Sequence, residues 1–230
     1  VRLLTVGNPK IAKGTKLGWL SVVLHLAPHT RSGQNLCPWA SPGCVRVCLN
    51  TAGRGGIRRK GERTNAIQRA RVRRSRWFLR DRDGFLAALR ADIGKAVDLA
   101  ARLGLKLAVR LNGTSDIPWE RIAPDLFSAF PGVQFYDYTK APHRMAARLP
   151  RNYVLAFSRS ESNESAVAAL PPEARVAVVF QGPVPATWNG RHTVDGDAHD
   201  LVFLQPPGRI LALRAKGRAK RDRSGFVVRT

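Results

Sequence analysis

Residues 17–27 read Leu17-Gly18-Trp19-Leu20-Ser21-Val22-Val23-Leu24-His25-Leu26-Ala27, and the loop after them contains Cys37-Pro38-Trp39-Ala40-Ser41-Pro42-Gly43-Cys44-Val45-Arg46-Val47-Cys48. The first stretch is almost unbroken apolar sequence with β-branched residues, which suits a strand buried on both faces and hence a parallel sheet. Pro28 stops it. Working outward, short apolar runs at 105–111, 133–136, 153–157 and 176–180 alternate with segments of helical or turn character, the pattern of an α/β protein. A further strand near 201–204 brings the total to about six. The expected fold is a single α/β domain over residues 1–230, a partial (β/α)6 barrel. Its C-terminal part is irregular because no crossover helix stands out between Phe180 and Leu201.

Two helices are expected between the cysteine loop (29–56) and the strand at 105. The first, 58–80, has a sparse apolar face and basic residues on most of its surface. The second is capped by Asp81 or Asp83, repeats Leu86, Leu89, Ile93, Val97 and Ala100 at helical spacing, and ends at Gly104.

A chain of 230 residues buries roughly 70% of its unfolded surface in one core, so no staple is needed for folding alone. Its charge is lopsided: 39 Lys and Arg against 16 Asp and Glu give +23, and 30 of the cations are Arg, whose planar fork matches phosphate. A polyanion partner, DNA or RNA, is expected. Between Arg54 and Arg82 twelve Lys or Arg face only Glu62 and Asp81, and the basic segment 209–230, with the single acid Asp222, reads as either a solvated tail or part of the polyanion surface. No run approaches 18 apolar residues and the first 16 lack a signal-peptide pattern, so the expectation is a cytoplasmic protein with no membrane partner.

All three cysteines fall in one loop as C-x6-C-x3-C, too few and too close for a disulfide framework. Three thiolates can hold three irons of a [4Fe-4S] cluster and leave the fourth open to a small molecule, which makes Cys37, Cys44 and Cys48 the expected metal ligands. Zinc completed by His25 or His29 is the competing reading, though zinc sites usually show C-x2-C pairs. Arg46, Arg54, Arg58 and Arg59 would offset the negative charge of a thiolate-ligated cluster.

Polar runs stand just after the expected strands, where parallel α/β proteins bind ligands. They are Asn112-Gly113-Thr114-Ser115-Asp116, Asp137-Tyr138-Thr139-Lys140, Ser158-Arg159-Ser160-Glu161 and Gln181-Gly182. Asp116 and Glu161 are candidates for catalytic or substrate-binding groups; Asn112, Ser115, Ser158 and Ser160 for cofactor contacts. Asp195-Gly196-Asp197-Ala198-His199-Asp200 gathers three acids and an imidazole, with Asp197 and His199 as candidate acid-base or metal-binding groups.

Asn8-Pro9-Lys10, Leu24-His25-Leu26-Ala27-Pro28, the cysteine loop running into Cys48-Leu49-Asn50-Thr51-Ala52-Gly53-Arg54-Gly55 and the rim runs above together resemble a family of gene products from actinobacterial phages. A more distant likeness is to the radical S-adenosylmethionine enzymes, which place a three-cysteine cluster loop after the first strand of a partial barrel. That resemblance implies S-adenosylmethionine on the open iron, with residues 112–116 near its methionine moiety and 158–161 near its ribose. The spacing departs from that superfamily's C-x3-C-x2-C, and Val47 stands where it has an aromatic.

Three readings of function follow. The first is a radical-S-adenosylmethionine-like iron-sulfur enzyme acting on or alongside nucleic acid. The second is a non-catalytic iron-sulfur protein that binds nucleic acid. The third is a metal-dependent nuclease built on residues 195–200.

Overall fold

The computed structural model describes residues 2–6 and 13–230, so Asn8-Pro9-Lys10 lies outside the described residues. Its frame is a mostly parallel ten-stranded sheet. β1 (Leu4–Thr5) lies antiparallel to β2 (Trp19–Leu24), after which β3 (Lys106–Arg110), β4 (Gln134–Thr139), β5 (Tyr153–Ser158) and β6 (Val176–Gln181) follow in parallel order. β7 (Thr187–Trp188) and β8 (Arg191–Asp195) form a hairpin at the far edge, and β9 (Ile210–Arg214) inserts between β6 and β8, parallel to both. The short β10 (Val228–Arg229) pairs with β6 opposite Phe180 and Gln181, whereas β5 pairs with it opposite Val176 and Ala177. The sheet therefore divides beyond Ser158.

Among the described residues no pairing joins β1 to β7. The sheet is open rather than closed, and its right half departs from a repeated strand-helix pattern because a hairpin replaces the last crossover. Three sequence expectations change. The helix expected over 58–80 starts only at Ala66, since Gly61 turns the chain at φ +83° and Asn65 caps α2 (Ala66–Arg80, numbering α1 as Pro42–Arg46) by accepting from Gln68 N at 2.9 Å. The strand expected over 201–204 is instead a 3-10 turn, Val202–Leu204. The basic segment 209–230 begins with a buried strand, β9, and is no tail.

Alternation along the strands sends side chains to two cores. Leu20, Val22, Leu24, Leu107, Val109, Phe135, Tyr153 and Leu155 meet Phe78 of α2 and Phe85, Leu89 and Ile93 of α3 (Arg82–Arg102). Asp81 caps α3 by accepting from Gly84 N at 2.9 Å, and Gly104 follows it at φ +65°, as the sequence implied. On the other face Trp19, Ala108, Tyr136, Ala156, Ala177, Leu211 and Leu213 surround Leu201, Val202 and Phe203. In a flat sheet β2 and β9 would stand roughly 24 Å apart at about 4.8 Å per strand. One cluster around a three-residue segment means that the sheet curls. Ala108, Ala156 and Ala177 leave room for this plug, whose Phe203 ring meets Trp19 at 4.8 Å and Tyr136 at 5.7 Å. No helix among the described residues is long and apolar enough to cross a membrane.

Candidate functional site

The cysteine loop leaves the C-terminal end of β2 and is held across the sheet mouth by Glu161, beyond β5. Ser41 is the N-cap of α1: its Oγ accepts from Cys44 N at 3.1 Å and donates to Glu161 Oε2 at 2.7 Å. Glu161 Oε1 accepts from Gly43 N at 2.6 Å, and a Cβ at position 43 would lie 2.6 Å from that same oxygen, so a larger residue would have to push the carboxylate aside. Glu161, expected as a substrate or catalytic group, is thus a clamp on the segment that presents Cys44. The signal was readable in Ser41-Pro42-Gly43, an N-cap followed by Pro at N1.

All three cysteines are free and half-buried. Cys37 Sγ accepts from His29 N at 3.3 Å and lies 3.6 Å from Thr114 O; Cys48 Sγ accepts from Asn50 N at 3.5 Å. Burial pushes the Cys37 thiol up to about 12, with further upward contributions from Cys48, Asp116 and Cys44. Burial also raises Cys48, opposed by the Asn50 amide and by Arg31 and Lys140, while Cys44 adds to the rise. Ionisation of either thiol is thus disfavoured both by burial and by the charge a neighbouring thiolate would carry. Half-buried Arg71, which the sequence did not single out, donates to Asn50 Oδ1 at 2.7 Å and has no carboxylate partner among the described residues; Cys48 is the group that favours its charge.

Among the described residues no three His, Cys, Asp or Glu side chains gather closely enough to hold a metal ion. The zinc site with His25 or His29 is not assembled. Burial lowers His25 to about 3, helped by Arg71, Arg110 and Arg74, so it stays neutral at the sheet mouth. A cubic cluster holds its thiolates at separate corners and does not require them to converge on one point.

The run after β3 is held from inside. Asn112 N and Nδ2 donate to Asp137 at 2.7 and 3.2 Å, and Asn112 Oδ1 accepts from Ser115 Oγ, Ile117 N and Trp119 Nε1. Tyr153 donates to Asp137 at 2.8 Å and accepts from Arg144, whose guanidinium also grips Asp116 at 2.8 Å and Glu120 through two bonds of 2.8 Å. Asp116 Oδ2 takes the Lys140 amide at 2.8 Å. Asn112, Ser115 and Asp116, expected as cofactor or catalytic contacts, are buried, and their side chains hydrogen-bond within the protein. Asp137 stood in one of the expected rim runs without an assigned role, and Arg144 was missed because one Arg among thirty carries no spacing signal.

Burial raises Asp137 to about 7, opposed by Arg110, Arg144, the Asn112 amide and Tyr153. The native chain then binds a proton that the unfolded chain releases near pH 4. This stabilisation is complete below that pH and is lost as pH rises through about 7. Urea unfolding of Asp137→Asn should show a flatter stability slope between pH 4 and 7 than the parent; an unchanged slope would exclude Asp137 as its source.

The other expected site residues are scattered. Lys140 Nζ donates to Ser158 Oγ at 2.9 Å, while buried Ser160 takes Asn163 Oδ1 on its amide at 2.7 Å. Asp200 pairs with Arg110 at 3.0 Å beneath the plug. Asp197 bonds Lys216 Nζ at 2.6 Å and Arg214 N at 2.9 Å, and His199 Nε2 lies 3.3 Å from Gln205 Nε2. The 195–200 acids are thus divided among different partners instead of forming one metal-binding group.

A family model described as Gene product 88 matches residues 2–230. The chain belongs to the Gene product 88 family. This is a phage gene-product family, in line with the phage resemblance, whereas the likeness to the radical S-adenosylmethionine enzymes is not supported. No curated protein and no solved structure matches the chain.

In this Gene product 88 member the basic segments meet at the cysteine loop. Asn65 Nδ2 donates to the carbonyls of Arg54, Gly55 and Ile57, binding the 3-10 turn Gly53–Gly56 to the start of α2. The 3-10 turn Gly217–Arg221 packs beside Leu49–Thr51, with a Cβ at Gly217 falling 3.6 Å from Ala52 Cβ. Val47 and half-buried Cys44 share a small core with Ala215, Ala219, Phe226 and Val227. Asp222 is buried and accepts from Ser224 and Val227, leaving Arg218, Lys220, Arg221 and Arg223 exposed around it. Trp77 and Phe78 anchor α2 against Phe85 at 5.5 and 5.3 Å.

Proposed function

We propose that this protein carries a [4Fe-4S] cluster on Cys37, Cys44 and Cys48 and uses the surrounding basic surface to bind nucleic acid in the cytoplasm of a phage host. The observation that carries the reading is the setting of the thiols: three near enough to influence one another's ionisation, beside a half-buried Arg71 that has no carboxylate partner among the described residues. A thiolate-ligated cluster is an anion and would supply the missing countercharge. These residues fit the group: Glu161 and Ser41 fix the segment of Cys44, and the His29 and Asn50 amides donate to Cys37 and Cys48. The cluster would supply redox chemistry or a structural staple, and the chain's own residues orient the sulfurs and balance their charge.

The structural role has the better footing. Against a catalytic role, the space inside the curl of strands β2 to β6 and β9, which a substrate would need, is filled by Leu201–Phe203. The polar groups expected around S-adenosylmethionine at 112–116 are taken up by Asp137 and Arg144. The catalytic alternative predicts reductive cleavage of S-adenosylmethionine, and deoxyadenosine released by the reduced protein would reinstate it.

Anaerobic purification should give a brown protein with about four irons per chain, and Cys44→Ser should lower that content severalfold. A colourless protein with stoichiometric zinc would reject the cluster.

A further inference from the structure

We propose that the rim of the cysteine loop docks a single-stranded nucleic acid, with Trp39 as the stacking platform for a base. The proposal rests on the nucleic-acid reading above and specifies both the face and the strand state. A turn closed by Ala40 N donating to Cys37 O at 3.0 Å holds Pro38 and Trp39 at the surface, with Trp39 48% exposed. The His143 ring lies 5.5 Å from the indole and limits its freedom. Leu49 and Ile57 are 57% and 70% exposed, and Val45 is exposed as well. Half of the eight exposed large hydrophobics among the described residues therefore stand between positions 39 and 57.

These apolar groups alternate with exposed cations. Arg46 and Arg54 lie within the same segment, and the Gly217–Arg221 turn brings Arg218 and Arg221 beside Leu49–Thr51. The one acid from residue 29 to 76, Glu62, lies 3.8 Å from Arg69. A surface for duplex backbone needs only cations, because the duplex hides its base faces. A single strand offers π faces and phosphates together, and exposed aromatic and apolar groups interleaved with Arg answer both. An acidic protein would explain the cations without requiring an exposed indole.

The test uses the full chain purified anaerobically, with iron measured on every sample. Fluorescence anisotropy compares a labelled oligothymidylate of about 20 nucleotides, several OB-fold footprints in length, with a duplex of equal length at equal salt. The single strand should bind at least about tenfold tighter, and Trp39→Ala should weaken it about tenfold with duplex affinity and iron content unchanged. Trp39→Phe should largely restore single-strand binding, and Arg54→Glu combined with Arg221→Glu should weaken both forms. Equal binding of the two forms, insensitive to Trp39→Ala, would overturn the single-strand proposal while leaving the nucleic-acid reading intact. Absence of binding to either at low salt would overturn both, whatever the iron content.

Discussion

Replacing Arg144 with Ala should destabilise the protein by about 3–5 kcal/mol, because it strands buried carboxylates without their cation. Arg144 is almost completely buried and bonds Asp116, Glu120 and Tyr153 at once. Removing it leaves Asp116 and Glu120 facing each other across a desolvated gap, while Asp116 also holds the Lys140 amide. Urea unfolding at neutral pH followed by circular dichroism measures the effect. Glu120→Gln, which keeps the shape and removes one charge, should cost clearly less. A loss below about 1 kcal/mol for Arg144→Ala, the scale of an exposed pair, would mean that the network is solvated rather than closed.

Nucleic-acid affinity should fall by about three to five orders of magnitude between 50 and 200 mM salt if 6–10 phosphates are contacted. The exposed cations are numerous enough: Arg46, Arg54, Arg58, Arg59, Lys60 and Arg63 on one side, Arg218, Lys220, Arg221 and Arg223 on the other. Each charge reversal at a true phosphate contact should reduce the slope by about one. Filter binding across a salt series provides the slope, and near-constant affinity would show that the charge serves something other than a phosphate backbone. Arg90, Lys95 and Arg102 of α3 make a useful control, since Asp83, Asp92 and Asp98 share their helix.

Strands whose side chains are covered on both faces were legible because their apolar runs tolerate no interruption. β3, β5 and β6 fall within a residue of their expected bounds, and β2 lies inside the expected 17–27. β9 was obscured by Arg209 before it and Arg214 at its end, which made Ile210-Leu211-Ala212-Leu213 look like the start of a charged tail. Leu201-Val202-Phe203-Leu204 has the composition of a strand, but its partners surround it inside the curl of the sheet, a placement no linear pattern encodes. The start of α2 was readable: Asn65-Ala66-Ile67-Gln68 has the spacing of a capping pair, overlooked amid the surrounding arginines. The cysteines stood out by spacing alone. Their supports did not, because Glu161 reaches Ser41 across 120 positions and Arg71 reaches Asn50 across 21.

The insertion of β9 between β6 and β8 bears on biosynthesis. Until residue 214 has left the ribosome, β6 presents an unsealed edge, and the hairpin beyond it has no neighbour. Nascent chains of this topology stay vulnerable to edge-to-edge association late into translation, when chaperones are the available shield.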